Sequence, residues 1–209
     1  MKLTLTYYCL LLACYLLLSS VQTLNAQNYA DSTRNLINQV DTASLSPYQN
    51  ELIATARQEI ADVQSDSALM WKIYILVAGA SLDSFAIPFN QLLGRMCVWG
   101  LATKTDPKSQ QRFSKFYAMV FDMKADWVEQ KGNMQESLNL RYKALEMSRA
   151  ALDTAYTITI LQNLGLSHFN TADYKTAERW LEEAVELAEK TGRKNIFGYF
   201  RWCTASGSF

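Results

Sequence analysis

The alternation of hydrophobic and polar positions is most regular between residues 174 and 190, where apolar side chains recur at steps of three and four. This spacing places them on one stripe of an α-helix, and the intervening Lys, Arg and Glu cover the opposite face. Asp173 stands where a carboxylate can cap the helix start, and Gly192 stands where a left-handed residue can end it. The pattern therefore predicts an amphipathic helix over residues 174–190.

A second apolar stripe precedes this helix, over residues 155–170. Ile158, Leu161, Leu164 and Phe169 carry it at helical spacing. Residues 171–173 leave room only for a tight turn between the two helices. Two helices with apolar faces and so short a connection predict an antiparallel helix hairpin.

A period of 40 residues relates this hairpin to the segment before it. Residues 132–137 align with 172–177, and residues 143–146 align with 183–186. Asn133 and Glu136 fit a reciprocal capping arrangement, with the Asn side chain reaching forward and the Glu side chain reaching back, which predicts a helix starting at Met134. The period predicts two repeat units, 112–152 and 153–192.

At these positions the chain resembles the tetratricopeptide repeat family. The resemblance implies that small side chains lie where the helices pass closest and that large side chains fill the space between them. Positions that match the family's packing pattern in the two units are Phe121, Ala125, Val128, Ser137, Ala144, Leu161, Leu164, Gly165, Ala177, Leu181 and Ala184.

The match departs from the family pattern in four respects. His168 stands where an aromatic residue is usual, and Lys124 stands where Leu is usual. Arg141 occupies the position that corresponds to Leu181. The period is 40 residues, whereas the family repeat has about 34.

Upstream, the apolar pattern predicts a degenerate helical hairpin over 66–111, with helices at 66–80 and 85–105, and an N-terminal helical cap over 27–65, with helices at 31–40 and 47–64. Residues 193–209 are predicted to start the first helix of a further repeat. The 8 Gly and 3 Pro residues are too few for the turns of an all-β sandwich. The predicted fold is all-α, a right-handed α-solenoid of antiparallel helix hairpins.

Residues 1–26 have the layout of a secretory signal peptide, with Lys2, an apolar stretch over 7–18 and the small residue Ala26 before the expected cleavage point. This layout predicts an exported protein of the periplasm or cell envelope. Two alternatives remain, an uncleaved membrane anchor and a lipoprotein acylated at Cys14. Cleavage would leave Cys97 and Cys203, whose apolar surroundings favour buried free thiols.

Composition and motifs argue against several classes of function. Lys plus Arg and Asp plus Glu number 20 each, and no basic block suggests a nucleic-acid partner. The chain contains no phosphate-binding glycine loop, zinc-protease motif or Cys-x-x-Cys pair. Its single histidine, His168, lacks a nucleophile in a suitable position, and we interpret it as a packing or surface residue. We expect no enzymatic activity, no cofactor and no metal site.

The resemblance implies a scaffold that binds a protein or peptide segment and does not catalyse a reaction. An alternative function is the sensory input region of a bacterial signalling protein, a kinase or a transcriptional regulator. Residues 196–203 are strongly apolar for an end unit, which predicts either a longer array or self-association through this C-terminal segment.

In this family the first helix of each hairpin lines the binding groove. The resemblance therefore implies a stripe of carboxylates from Asp122, Asp126 and Glu129 in one unit and a neutral surface in the next. A clamp for a carboxylate terminus would need Lys or Arg there, so we expect a basic or neutral extended segment. An ordinary solvated helix face is the alternative interpretation. The predicted groove residues are Met119, Asp122, Met123, Asp126, Glu129, Thr159, Gln162, Asn163 and Leu166.

Overall fold

A computed structural model of the chain describes residues 29–40, 43, 45–59, 65–79 and 86–193. Within these ranges every regular element is a helix, as the sequence predicts. The helices are α1 (29–38), α2 (Pro47–Glu59), α3 (Asp66–Gly79), α4 (Ala86–Thr103), α5 (Pro107–Gln130), α6 (Met134–Ala150), α7 (Thr154–Asn170) and α8 (Tyr174–Lys190).

The chain divides into two compact units, Met1–Leu92 and Leu93–Phe209, and the division falls within α4. In the first unit α2 packs against α3. Ile53 of α2 and Met70, Ile73 and Leu76 of α3 are almost completely buried. This unit therefore has an apolar core of its own.

In the second unit each helix packs against the next one along the chain, from α5 to α8. Leu145 of α6, Ile158 and Leu161 of α7 and Ala184 of α8 belong to one buried apolar cluster. Two stacked helix hairpins thus share a core, which confirms the predicted all-α, solenoid-like packing. The right-handed winding of the stack stays a prediction.

The connections between these helices repeat every 20 residues. Gly132, Leu152, Ala172 and Gly192 each follow a helix end and have a positive φ, at 82°, 54°, 60° and 69° respectively. After each one, the backbone amide of the next residue bonds back to the last turn of the helix, as Asp173 does to the carbonyl of His168 at 2.9 Å. This is the Schellman arrangement, which satisfies carbonyls that the helix leaves unpaired.

The residue after each left-handed position caps the next helix. Asn133, Asp153 and Asp173 each accept a hydrogen bond from the amide three residues later. The predicted reciprocal cap of α6 is wrong in its second half, because the Asn133 amide donates to the Val128 carbonyl. The Glu136 side chain instead accepts a 2.9 Å bond from the Asn133 side-chain amide.

Several boundaries differ from the predicted ones. α5 begins at Pro107, so the predicted unit boundary between residues 111 and 112 falls inside this helix. The Asp106 carboxylate caps the helix by accepting from the Ser109 amide at 2.8 Å. α5 therefore starts two turns before the position that corresponds to the start of α7. Smaller differences affect α1, which ends at 38 rather than 40, and α4, which ends at Thr103 rather than 105.

Some predictions lie outside the described residues. They concern the leader 1–26 with Cys14, the thiol of Cys203 and all of the predicted further helix over 193–209 except its first residue. Among the described helices, none is both long and apolar enough to cross a membrane.

Candidate functional site

The predicted repeat-packing residues lie in the interior of the second unit. Nine of them are buried, whereas Phe121 and Val128 are half-buried. At Gly165 an added Cβ would lie 2.6 Å from Leu181 Cγ and 3.3 Å from the Ala177 carbonyl oxygen. The glycine is therefore required by the close crossing of α7 and α8, where the repeat pattern places it.

Hydrogen bonds join α5 directly to α7. The Asp122 carboxylate accepts from the Tyr156 hydroxyl at 3.1 Å and from the Asn163 side-chain amide at 3.2 Å. Two turns further along α5 and one turn beyond Asn163 on α7, the Glu129 carboxylate accepts from the Ser167 hydroxyl at 3.3 Å. The first helices of the two hairpins thus lie side by side, and their polar residues meet at one surface.

Arg141 of α6 lies beneath this surface with only 5% of its area exposed. Its Nη1 atom donates to Glu129 Oε2 at 2.6 Å and to Ser167 Oγ at 2.7 Å. Its Nη2 atom pairs with Asp126. The guanidinium therefore connects three helices, and the three predicted groove carboxylates surround it.

The third carboxylate, Asp122, is not hydrogen-bonded to this guanidinium. The nearest approach is 3.9 Å, from Arg141 Nε to Asp122 Oδ1, and Arg141 Nε has no hydrogen-bond partner among the described residues. Burial raises the pKa of Asp122 to about 6, and the neighbouring Asp126 carboxylate adds to this rise. The bonds from Asn163 and Tyr156 and the charge of Arg141 offset the rise only in part.

Comparison with known protein families supports the repeat assignment. A family model described as tetratricopeptide repeat matches residues 118–190. This segment is a tetratricopeptide repeat region. The segment begins in the middle of α5 and ends at the last residue of α8. It contains the whole network around Arg141. Comparison with curated proteins and with solved structures found no match.

The tetratricopeptide repeat residues predicted to line the groove have unequal access to a partner. Met119 is 6% exposed, so it packs in the interior and cannot contact a segment in the groove. Asp122, Glu129 and Asn163 are occupied by internal hydrogen bonds. We call the accessible remainder the α5–α7 face, and it consists of Met123, Asp126, Thr159, Gln162 and Leu166.

A solvated helix face, the alternative interpretation, does not describe all three carboxylates either. The Asp126 side chain is 48% exposed, but those of Glu129 and Asp122 are only 19% and 9% exposed. In the sequence, Arg141 stands where the repeat pattern has a large apolar residue. A buried cation at this position requires buried anions nearby. The presence of Arg141 therefore explains why Asp122 and Glu129 are buried.

The remaining candidate groups, His168 and Cys97, have structural roles. His168 is buried, with its ring nitrogens 2.8 Å from the Tyr142 hydroxyl and 3.1 Å from Asp173 Oδ2. Cys97 is a buried free thiol, as predicted, and burial raises its pKa. The described residues contain no group of His, Cys, Asp or Glu arranged to hold a metal ion. Tetratricopeptide repeats serve in general as non-catalytic interaction scaffolds.

Proposed function

We propose that the repeat region binds an extended protein segment of basic or neutral character on the α5–α7 face. The observation that carries this proposal is the charge balance at and beneath the face, where three carboxylates surround one buried guanidinium. The half-exposed Asp126 brings part of this negative charge to the surface. This negative charge would speed the encounter with a basic segment and would disfavour the binding of an acidic one.

The rest of the α5–α7 face suits a segment without a fixed side-chain pattern. Met123 offers a flexible, polarisable side chain that adapts to different partners. Thr159 and Gln162 offer neutral hydrogen-bonding groups on α7, and Leu166 adds apolar area. Such a surface favours backbone contacts with an extended chain and discrimination by charge.

Binding of three labelled peptides of equal length to the full chain tests this proposal. The peptides share a Ser and Gly background and carry three Lys, three Gln or three Glu residues. At the α5–α7 face, measured by competition against the labelled Lys peptide, we expect the Gln peptide to compete better than the Glu peptide. We also expect the Lys peptide itself to lose affinity as salt rises. Preference for the Glu peptide at this face would overturn the proposal.

Two matched variants locate the binding surface. Asp126→Asn removes one exposed negative charge and keeps an oxygen that can accept from Arg141. It should weaken the Lys peptide several-fold and flatten its salt dependence. Glu182→Gln removes one negative charge from the exposed side of α8 and should leave binding unchanged. Equal effects of the two variants would assign the binding to net charge alone.

We further propose that the chain acts in the cell envelope, on the basis of the leader pattern in residues 1–26. Expression of the full chain in a bacterium, followed by fractionation and mass spectrometry of the N-terminus, tests this location. A periplasmic product starting at Gln27 is expected. A membrane product that keeps Met1, or one acylated at Cys14, would favour the corresponding alternative.

The role as sensory input region of a kinase or transcriptional regulator stays the second prediction. A membrane span and an output domain encoded directly downstream would favour it over a free scaffold. The peptide preference of the α5–α7 face would be the same in both cases.

A further inference from the structure

A second surface of the repeat region carries the opposite charge. A cavity of about 460 Å³ opens at the connection between α6 and α7, beside the start of α5 and the end of α8. Four basic residues line it, Lys108, Arg112 and Lys115 from α5 and Arg193 after α8. Asp153 is the one acidic residue in its lining. The cavity therefore has a clear positive excess.

Most of this positive charge is not neutralised by the protein itself. Lys115 pairs with Asp153 at 2.6 Å. Within the described part of the chain, Lys108, Arg112 and Arg193 form no ion pair. Arg112 donates to Ser109 Oγ at 3.0 Å, and its Nε has no hydrogen-bond partner among the described residues. Three cationic groups thus retain capacity to bind an anion.

Asp153 is already committed to structural bonds. Its carboxylate caps α7 by accepting from the Tyr156 amide at 3.0 Å and also holds Lys115. Burial alone would raise the pKa of Asp153, but the bonds from Lys115 and Tyr156 and the charges of Lys115 and Arg193 lower it. The carboxylate therefore stays ionised at neutral pH, with Lys115 as its hydrogen-bonded counterion.

The repeat pattern does not account for the cations of this cavity. Lys108 and Arg112 lie on the two additional turns with which α5 precedes the start of the repeat, and Arg193 lies beyond its last helix. Lys108 and Lys115 are seven residues apart, which is about 10 Å along a helix. A single small anion cannot contact both ends of such a row. Acidic side chains three residues apart on an extended polyproline II segment lie on one side of it and about 9 Å apart, which is a similar distance.

We propose that this cavity binds an acidic, extended protein segment through at least two of its carboxylates. Thr154 and Ala155 also line the cavity, and their amides, the first two of α7, have no carbonyl partner within the helix. They add donors at the positive end of a helix dipole. The site is separate from the α5–α7 face and selects segments of the opposite charge.

The test uses the full chain at about 50 mM salt, where charge interactions are weakly screened. The probe is a fluorescein-labelled peptide of eight residues with Glu at positions 2, 5 and 8 in a Ser and Gly background. The reference peptide has Gln at the same positions. The proposal expects the Glu peptide to bind and the Gln peptide to bind at least about tenfold more weakly.

Variants place this binding at the cavity. Lys108→Gln with Arg112→Gln, and separately Arg193→Gln, should each weaken the Glu peptide about tenfold or more. The matched control, Lys131→Gln with Lys175→Gln, removes two exposed positive charges at other helix connections and should change affinity less than about twofold. Far-UV circular dichroism checks that each variant is folded.

Three results would overturn the proposal. Equal binding of the Glu and Gln peptides would exclude recognition of carboxylates. Equal weakening by the control pair would assign the binding to overall charge. Full displacement of the Glu peptide by inorganic phosphate at the same concentration as the peptide would indicate a site for one small oxoanion. Because the α5–α7 face is tested with a Lys peptide and other variants, the two proposals can fail separately.

Discussion

At the scale of single residues, the buried Asp122 carboxylate makes stability depend on pH. Burial raises its pKa from 3.8 to about 6, so the folded state holds the proton more tightly than the unfolded chain does. The resulting stabilisation is complete below the unfolded pKa and is lost as pH rises through about 6. Between pH 5 and pH 8 the free energy of unfolding should fall by about 1 kcal/mol through this group.

The variant Asp122→Asn isolates this effect, because it keeps an acceptor for Tyr156 and Asn163 and cannot ionise. Urea unfolding of wild type and variant at pH 5 and pH 8 gives the change in the free energy of unfolding for each protein. The contributions of other titrating groups cancel when the two changes are subtracted. The wild type should lose more stability than the variant over this interval. Parallel losses in the two proteins would refute a raised Asp122 pKa.

Gly165 is a residue at which packing tolerates little change. Any side chain there would push against Leu181 and the backbone of α8. Gly165→Leu should lower the free energy of unfolding by about 1 to 3 kcal/mol through overpacking. Thr159→Leu, at an exposed position of the same helix, is the control and should change it by less than about 0.5 kcal/mol. Equal melting of Gly165→Leu and wild type would show that α7 and α8 do not cross here.

At the scale of helices and connections, only two of the four connection residues with a positive φ are glycines. Ala172 has a φ of 60° and Gly192 a φ of 69° at corresponding connections. A side chain in this conformation costs about 1 kcal/mol. Ala172→Gly should therefore stabilise the protein by about that amount, and Gly192→Ala should destabilise it similarly, because no atom lies near a Cβ at Gly192. Thermal melts that shift both variants in the same direction would contradict this explanation.

The sequence predicts helices better than it predicts contacts between polar groups. The stripe over 174–190 and the cap at Asp173 suffice for α8, because helical periodicity and capping are local properties. The start of α5 is missed because its additional turns have no counterpart in the next unit. The burial of Asp122 is missed because periodicity gives the face of a helix and not the partner opposite it.

At the scale of the whole repeat region, Arg141 binds the two hairpins together. Its guanidinium on α6 bonds to Glu129 on α5 and to Ser167 on α7. The corresponding position of the next unit is Leu181, which fills the space with apolar atoms instead. Buried ion clusters add little net stability compared with such apolar packing, but removal of one partner leaves the others uncompensated. The cluster therefore makes the stack depend on all of its members.

This dependence predicts a particular order of stability. Arg141→Leu alone leaves buried carboxylates without a cation and should lower the free energy of unfolding by about 3 to 5 kcal/mol, measured in urea. Adding Asp122→Asn, Asp126→Asn and Glu129→Gln to it removes these charges and should restore most of the loss. Arg149→Leu, which breaks only the exposed pair with Glu183, should cost less than about 1 kcal/mol. If the neutralised variant is no more stable than Arg141→Leu, the loss comes from the shape of the arginine and not from the charges around it.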